Sequence, residues 1–283
     1  MTARALEVLR PGALATVQDL GRPGLAALGV GRSGAADRAS LRLANRVVGN
    51  HEGEACVEVT LGGLAVRAVG DLLVAAAGAP CPGTAGTGVP TYLADGEVLE
   101  LGTPPTGLRT YLAVAGGLAV DRVLGSRSTD VLAGIGPPAL TPGQRLPVGA
   151  PRQPRRLVDV APVPPPPDGE VGLRVVPGPR DDWFAEGALG ALLGGAYEVT
   201  ADSNRVGMRL QGPGLERARD GELPSEGMVP GSLQVPPSGQ PTLFLADHPV
   251  TGGYPVVAVV VRDDVDRAAQ VRPGQTVRFR RAR

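Results

Sequence analysis

Glycine falls at nearly every point where an apolar run stops, and this punctuation limits what the chain can fold into. In the first half the runs 56–61, 64–68, 72–76, 91–93 and 98–101 are divided by Gly62-Gly63, Gly70-Asp71, the Gly/Pro-rich stretch 78–88 and Asp95-Gly96. Runs this short, with a turn signal after each, predict strands of a β-sandwich or barrel rather than helices. The 42 glycines and 29 prolines show no collagen-like period, and such a surplus fits many short strands joined by tight turns. Aromatic residues make up only 3% of the chain, so Val, Leu and Ala must fill the core. Glu58 lies on the opposite side of its run from Val57 and Val59, which reads as an exposed face.

Three segments depart from the β pattern. Residues 36–48 read as a helix, with Leu43/Val47 and Ala44/Val48 four apart, Ser33 or Asp37 as cap and Gly49-Asn50 as stop. Its Arg38, Arg42 and Arg46 form a stripe that is either a solvated face or a partner-binding one. Residues 181–193 and 263–270 read as two further helices, the second acidic at its start, as the helix dipole favours.

The six residues PVPPPP at 162–167 form a stiff spacer. They divide the chain into an N-terminal β domain (1–160), a linker (161–170) and a C-terminal β domain (171–283). The halves echo each other: Pro142-Gly143-Gln144 precedes the last run of the first, and Pro273-Gly274-Gln275 that of the second.

The formal net charge is zero and no basic block occurs, which argues against nucleic acid as a partner. All 28 basic residues are arginine. Without lysine the chain cannot carry biotinyl-lysine, form a Schiff base or supply a Walker A lysine. Two cysteines (Cys56, Cys81) and two histidines (His51, His248) are too few soft ligands for a structural zinc site, and no metal site is expected. With no signal-like N-terminus and no membrane-length apolar run, a soluble cytoplasmic protein is the expectation.

The stretch 225–261 gathers polar groups between short strands. Runs 232–235, 242–246 and 256–261 are β-prone, and Pro236 to Gly239 reads as a type I turn. Between the last two runs lies DHPVTGGYP. Gly252-Gly253 can take positive φ and let a ligand approach bare main chain, and Tyr254 is extended by the proline after it. A plain Gly/Pro-rich hairpin fits the same letters. Polar loops also occur at 16–24, where Gln18, Asp19 and Arg22 can face a ligand, at 125–130, where Arg127 can take a carboxylate or phosphate, and at 201–208.

VQDLGRPG, GAADRASLRLANRVVGN, GSRSTD, DSNRVGMRLQG, SEGMVPGSLQVPPSGQP and DHPVTGGYPV occur in order across nearly the whole chain. In these motifs the chain resembles the PxpC/KipA family of 5-oxoprolinase C subunits, which is similar to subdomains A and B of the urea carboxylase carboxyltransferase domain. The resemblance implies two cyclophilin-like β-barrel domains, PxpB/KipI-like and PxpA-like partners, and the opening of 5-oxo-L-proline to L-glutamate with ATP and Mg²⁺ at the level of the complex. The motif positions supply the site residues. Arg22, Arg127 and Arg205 bring positive charge. Asp19, Glu226 and Asp247 orient Mg²⁺ or a proton. Gly252 and Gly253 hold an oxyanion through their N–H groups. Tyr254 joins the catalytic set, and Gln18, Asn204, Ser225, Gln234 and Thr251 bind the small-molecule substrate. His248-Pro249 departs from the family, whose members more often show Arg-Gln there. Two other activities fit the resemblance: carboxyl transfer from biotin carried on another protein, and a KipA-like regulator that antagonises a KipI-like kinase inhibitor.

Overall fold

The computed structural model describes residues 4–83, 85–151, 159–219, 221 and 223–282. Two compact units emerge. Unit 1 comprises 1–22, 33–130 and 134–166; unit 2 comprises 167–283 together with 23–32 and 131–133.

Unit 1 contains β1 (Ala5–Pro11), β2 (Leu14–Gln18), α1 (Arg38–Val47), β3 (Cys56–Thr60), β4 (Leu64–Val69), β5 (Leu72–Gly78), β6 (Thr91–Leu93), β7 (Val98–Glu100), β8 (Arg109–Val114) and β9 (Arg145–Pro147). They form a four-stranded sheet, β7-β4-β1-β9, and a five-stranded sheet, β2-β3-β8-β5-β6. Inward side chains of both, among them Leu6, Val8, Val17, Val57, Leu64, Val74 and Leu112, share one core. The stretch 78–88 is tied down near its start by Ala79 N–H to Arg109 O (2.8 Å), within it by Gly102 N–H to Pro82 O (2.7 Å) and at its end by Gly88 N–H to Ala76 O (2.7 Å).

Helix α1 is shorter than the pattern predicts. Asp37 caps it, accepting Ser40 N–H at 2.9 Å. Its Leu41, Ala44 and Val47 pack on Ala75, Ala77, Tyr111 and Ala113, the outer face of the five-stranded sheet. Burial of a Leu or Val side chain contributes about 1.5–3 kcal/mol, so this face holds the helix more firmly than its propensity does. In the arginine stripe Arg46 is exposed and pairs with Glu52 at 2.7 Å, while Arg38 and Arg42 are half-buried.

Unit 2 contains β10 (Val171–Pro177), α2 (Ala188–Gly194), β11 (Tyr197–Val199), β12 (Gly207–Gln211), β13 (Glu226–Gly227), β14 (Ser232–Gln234), β15 (Thr242–Phe244), β16 (Thr251–Gly252), β17 (Val256–Val260), α3 (Arg262–Ala268) and β18 (Thr276–Arg281). Seven strands close into a barrel in the order β10-β17-β14-β15-β12-β11-β18, and β13 and β16 pair as a separate ribbon. Full closure leaves no free strand edge. The barrel is filled by Leu173, Val199, Leu233, Leu243, Val257 and Val277, with Tyr197 and Phe279 in contact at 5.7 Å.

The predicted helix over 181–193 is broken in two. A 3-10 turn covers Asp181–Trp183, and α2 starts only after Gly187, which adopts φ +87°. Between them Ala185 N–H bonds Glu216 O at 3.0 Å, so tertiary pairing overrides the local pattern. Asp264 on α3 is buried and accepts both the Nε (3.0 Å) and Nη2 (2.8 Å) of Arg174, which clamps the helix to β10.

The two Pro-Gly-Gln turns are alike in detail. Gly143 donates to Val8 O and Gly274 to Val199 O, each at 2.7 Å, while Val8 and Val199 donate back to Gln144 O and Gln275 O. Both glycines have positive φ, +81° and +85°. The strand after each turn pairs antiparallel with the strand that receives it, β9 with β1 and β18 with β11, and β18 also runs parallel to β10 on its other edge.

Candidate functional site

In unit 1 the Gln18–Arg22 segment and the 126–130 segment are locked together by Asp19. Its Oδ1 accepts Gly21 N–H (2.7 Å), Ser126 Oγ–H (2.6 Å) and Ser128 Oγ–H (2.6 Å), and its Oδ2 accepts Arg127 N–H (2.7 Å). Four donors thus saturate this buried carboxylate, which the sequence reading gave to Mg²⁺ or a proton. Arg127 is half-buried, and its Nε donates to Val120 O at 2.7 Å.

Arg22 differs. It is 2% exposed, and its Nη2 donates to Ser128 O. Its Nε and Nη1 are buried without a partner. Gln18 is fully buried and donates from Nε2 to Thr16 Oγ1 (3.0 Å) and Thr129 O (2.9 Å), while its Oε1 accepts nothing. A buried donor or acceptor left unsatisfied costs about 1–3 kcal/mol, and more when the group is charged.

Thr16, which Gln18 contacts, belongs to a polar layer whose Glu58 the sequence pattern places on an exposed face. Thr16 on β2, Glu58 on β3 and Tyr111 on β8 lie side by side in register. Glu58 is 2% exposed. Its Oε2 accepts Tyr111 Oη–H (2.7 Å) and Ala36 N–H (3.1 Å), and Arg109 lies 3.6 Å from its Oε1. Burial, followed by the Glu58 carboxylate, pushes the Tyr111 phenol well above its ordinary range, so it stays a neutral donor.

In unit 2 the candidate residues fall into three groups. Arg205 and Asp247 are fully buried and spent on each other, with Nε–Oδ2 at 2.8 Å and Nη2–Oδ1 at 3.0 Å. Asp247 Oδ2 also accepts Val131 N–H at 3.1 Å. Asp247 therefore holds a buried ion pair rather than standing free to orient Mg²⁺ or a proton. The second group is the ribbon, where Glu226 pairs with Gly252 and Gly227 with Thr251. Arg180 donates from Nε and Nη2 to Glu226 Oε1, and this hydrogen bonding draws the Glu226 carboxyl below its usual value near 4.5. The third group is Gln234, whose Nε2 donates to Tyr254 O at 3.1 Å. Tyr254 is 43% exposed.

The glycine pair works differently from the expectation. Neither Gly252 nor Gly253 has positive φ. A Cβ on Gly252 would sit 2.5 Å from Gln234 Nε2 and 3.3 Å from Met228, so the protein's own side chains occupy the space beside this main chain. The ribbon lines none of three clefts of unit 2, those at 214–221 with 237–239, at 200–212 with 236–242, and at 174, 261–263 and 280–282. Asn204 caps its own turn, its Oδ1 accepting Val206 N–H at 2.8 Å. Ser225 is exposed. His248 is buried, its Nδ1 lying 2.7 Å from Pro249 O.

The model of the carboxyltransferase domain, subdomains A and B, matches residues 28–281. This chain belongs to that carboxyltransferase family. It is 38% identical to the C subunit of 5-oxoprolinase from Escherichia coli, over 97% of this chain and 90% of that protein. It is 33% identical to urea amidolyase of Lachancea kluyveri, but there the match spans only 17% of the relative. Among solved structures, TTHA0988 superposes with a TM-score of 0.89 at 38% identity, covering 98% of this chain, and this chain spans 56% of that one. The Kluyveromyces lactis urea amidolyase superposes with a TM-score of 0.91 at 30% identity, covering 99% of this chain and 19% of that one.

For a member of the carboxyltransferase family, the residues missed from sequence are instructive. Glu58, Arg109 and Tyr111 each occupy alternate positions on strands whose other face feeds the core. Polar residues at that period normally mark a solvated face. Only the helix laid over the sheet turns them inward, and a charged residue flanked by Val57 and Val59 was the available signal.

Proposed function

We propose that this chain is the C subunit of an ATP-dependent 5-oxoprolinase, opening 5-oxo-L-proline to L-glutamate in the cytoplasm with PxpA- and PxpB-like subunits. The observation that carries the reading is the nearly end-to-end relation to a protein of that name, 38% identical over 97% of this chain and 90% of the relative.

The geometry fits a subunit that supplies recognition rather than nucleotide chemistry. Asp19 is saturated by four donors, Asp247 lies in the fork of Arg205, and Glu226 is engaged by Arg180. The chain has no lysine. Among the described residues no group of three or more His, Cys, Asp or Glu is placed to hold a metal. These residues do not fit a resident Mg–nucleotide site, so ATP and Mg²⁺ are assigned to the partner subunits. No helix among the described residues is long and apolar enough to cross a membrane.

The test is reconstitution with PxpA- and PxpB-like subunits, scoring glutamate from 5-oxo-L-proline and ATP. Glutamate is expected only with all subunits present, and its absence from the complete mixture overturns the reading. A second reading, carboxyl transfer from a biotin carrier, is favoured by the family match and by the urea amidolyase relatives. It predicts instead carboxylation of urea or a related amide with a biotinylated carrier protein, which must bring the biotinyl-lysine that this chain lacks.

A further inference from the structure

Unit 1 holds an acceptor and a set of donors that the fold leaves unused, on two side chains anchored to neighbouring residues of one loop. Gln18 and Arg22 anchor to consecutive carbonyls, Thr129 O and Ser128 O. Ser33 Oγ donates to the same Thr129 O at 3.1 Å from a left-handed conformation (φ +53°), which a non-glycine residue rarely adopts. Glycine forms the wall beside the guanidinium. A Cβ on Gly136 would sit 2.1 Å from Ser128 O and 3.2 Å from Arg22 Nη2. A Cβ on Gly34 would sit 2.7 Å from Gly21 N. The bare backbone of Gly136 thus lies against the Arg22 guanidinium, Gly34 packs on the main chain of 19–21, and Gln18 Oε1 and Arg22 Nε and Nη1 make no hydrogen bond.

We propose that Gln18 and Arg22 form a binding subsite for a small molecule carrying both an amide N–H and an oxyanion, the chemistry of a lactam carboxylate. Gln18 is held with its Nε2 occupied, so only its Oε1 faces a ligand, and Oε1 requires a donor. Arg22 keeps one edge on the protein and offers Nε and Nη1 to a negative oxygen. Inorganic phosphate satisfies Arg22 but brings little to Gln18. A cation suits Gln18 and is repelled by Arg22. A ligand with both groups satisfies both. The walls are loops rather than paired strands, so entry requires a loop displacement and not the opening of a sheet. The proposal rests on the oxoprolinase reading and names the groups that meet the lactam.

The test has two arms. In the first, the chain is titrated with 5-oxo-L-proline, 2-pyrrolidinone, acetate and inorganic phosphate while the Gln18 side-chain amide is followed by NMR. The lactam acid is expected to move that resonance, with the other three binding at least tenfold more weakly, as the loss of one charged or buried hydrogen bond implies. In the second, Gln18→Met and Arg22→Gln are assembled with the partner subunits after their melting curves are checked. KM for 5-oxo-L-proline is expected to rise at least tenfold in each with kcat changed less than threefold, and Arg22→Lys recovers part of the loss. The proposal is overturned if the lactam acid leaves the Gln18 amide unmoved, or if folded variants keep the wild-type KM. A complex that opens the lactam with unchanged KM in both variants sinks the subsite and spares the subunit reading. Binding at Gln18 by a chain whose complex makes no glutamate does the reverse.

Discussion

Removal of the Asp247 carboxylate tests the structural role assigned to it. In Asp247→Ala, Arg205 stays 1% exposed with its two bonds at 2.8 and 3.0 Å gone, and Val131 N–H loses its acceptor as well. Taking one partner from a buried ion pair leaves an uncompensated charge and costs about 3–5 kcal/mol. Unit 2 also carries the chain's single tryptophan, Trp183, which packs against the barrel core with Arg217 5.7 Å from its ring. Its fluorescence therefore reports unfolding of this unit. With a urea m-value of about 2 kcal/mol/M, the loss corresponds to a midpoint lowered by roughly 1.5–2.5 M. The apolar pair Arg205→Met with Asp247→Leu removes both charges and is expected to recover most of that shift, since such replacements are often neutral or stabilising. A midpoint lowered by less than about 0.5 M in Asp247→Ala, or a double variant as unstable as the sum of the singles, refutes the reasoning.

Three other outcomes follow from the same geometry. Glu226 titrates below its usual range because of the Arg180 hydrogen bonds; a depressed carboxyl adds stability above its unfolded pKa and loses it as pH falls through the folded one. The gap in urea midpoint between wild type and Glu226→Gln should therefore be present at pH 7 and close below about pH 4. Asp19→Ala orphans the hydroxyls and N–H groups that fix 126–128, and calorimetry should find unit 1 destabilised by about 2–4 kcal/mol, whereas an unchanged melting curve counts against the staple. Burial pushes the Cys56 thiol far above its usual range, so it should resist thiol reagents at pH 8 until the protein is unfolded; rapid labelling of the native chain contradicts this.

The parts of the fold legible from sequence were those set by local rules. Gly62-Gly63 and Asp95-Gly96 mark real strand ends, Asp37 caps α1, and Pro142-Gly143-Gln144 and its later counterpart make the same turn. What could not be read depends on contacts distant in sequence. Residues 181–193 carry a helical pattern, yet pairing of Ala185 with Glu216 breaks it. Glu58 obeys the alternation of a half-exposed strand and is buried because α1 covers that face. The Gly252-Gly253 pair suggested an open main chain, and only the packing shows the Gln234 amide and Met228 beside Gly252. Within the candidate site, sequence motifs picked Gln18, Asp19 and Arg22 together but did not separate them. Saturation of the carboxylate and the unused guanidinium edge are properties of the packed loops.

The central claim is that this chain supplies recognition groups to an enzyme whose nucleotide chemistry lies elsewhere. Its most direct test is ATP hydrolysis dependent on 5-oxo-L-proline, measured as the chain is titrated into fixed amounts of PxpA- and PxpB-like subunits. Saturable activation at a fixed stoichiometry, with no hydrolysis by the chain alone, is the predicted result. Turnover by the partners that does not change as the chain is added, or turnover by the chain without them, contradicts it.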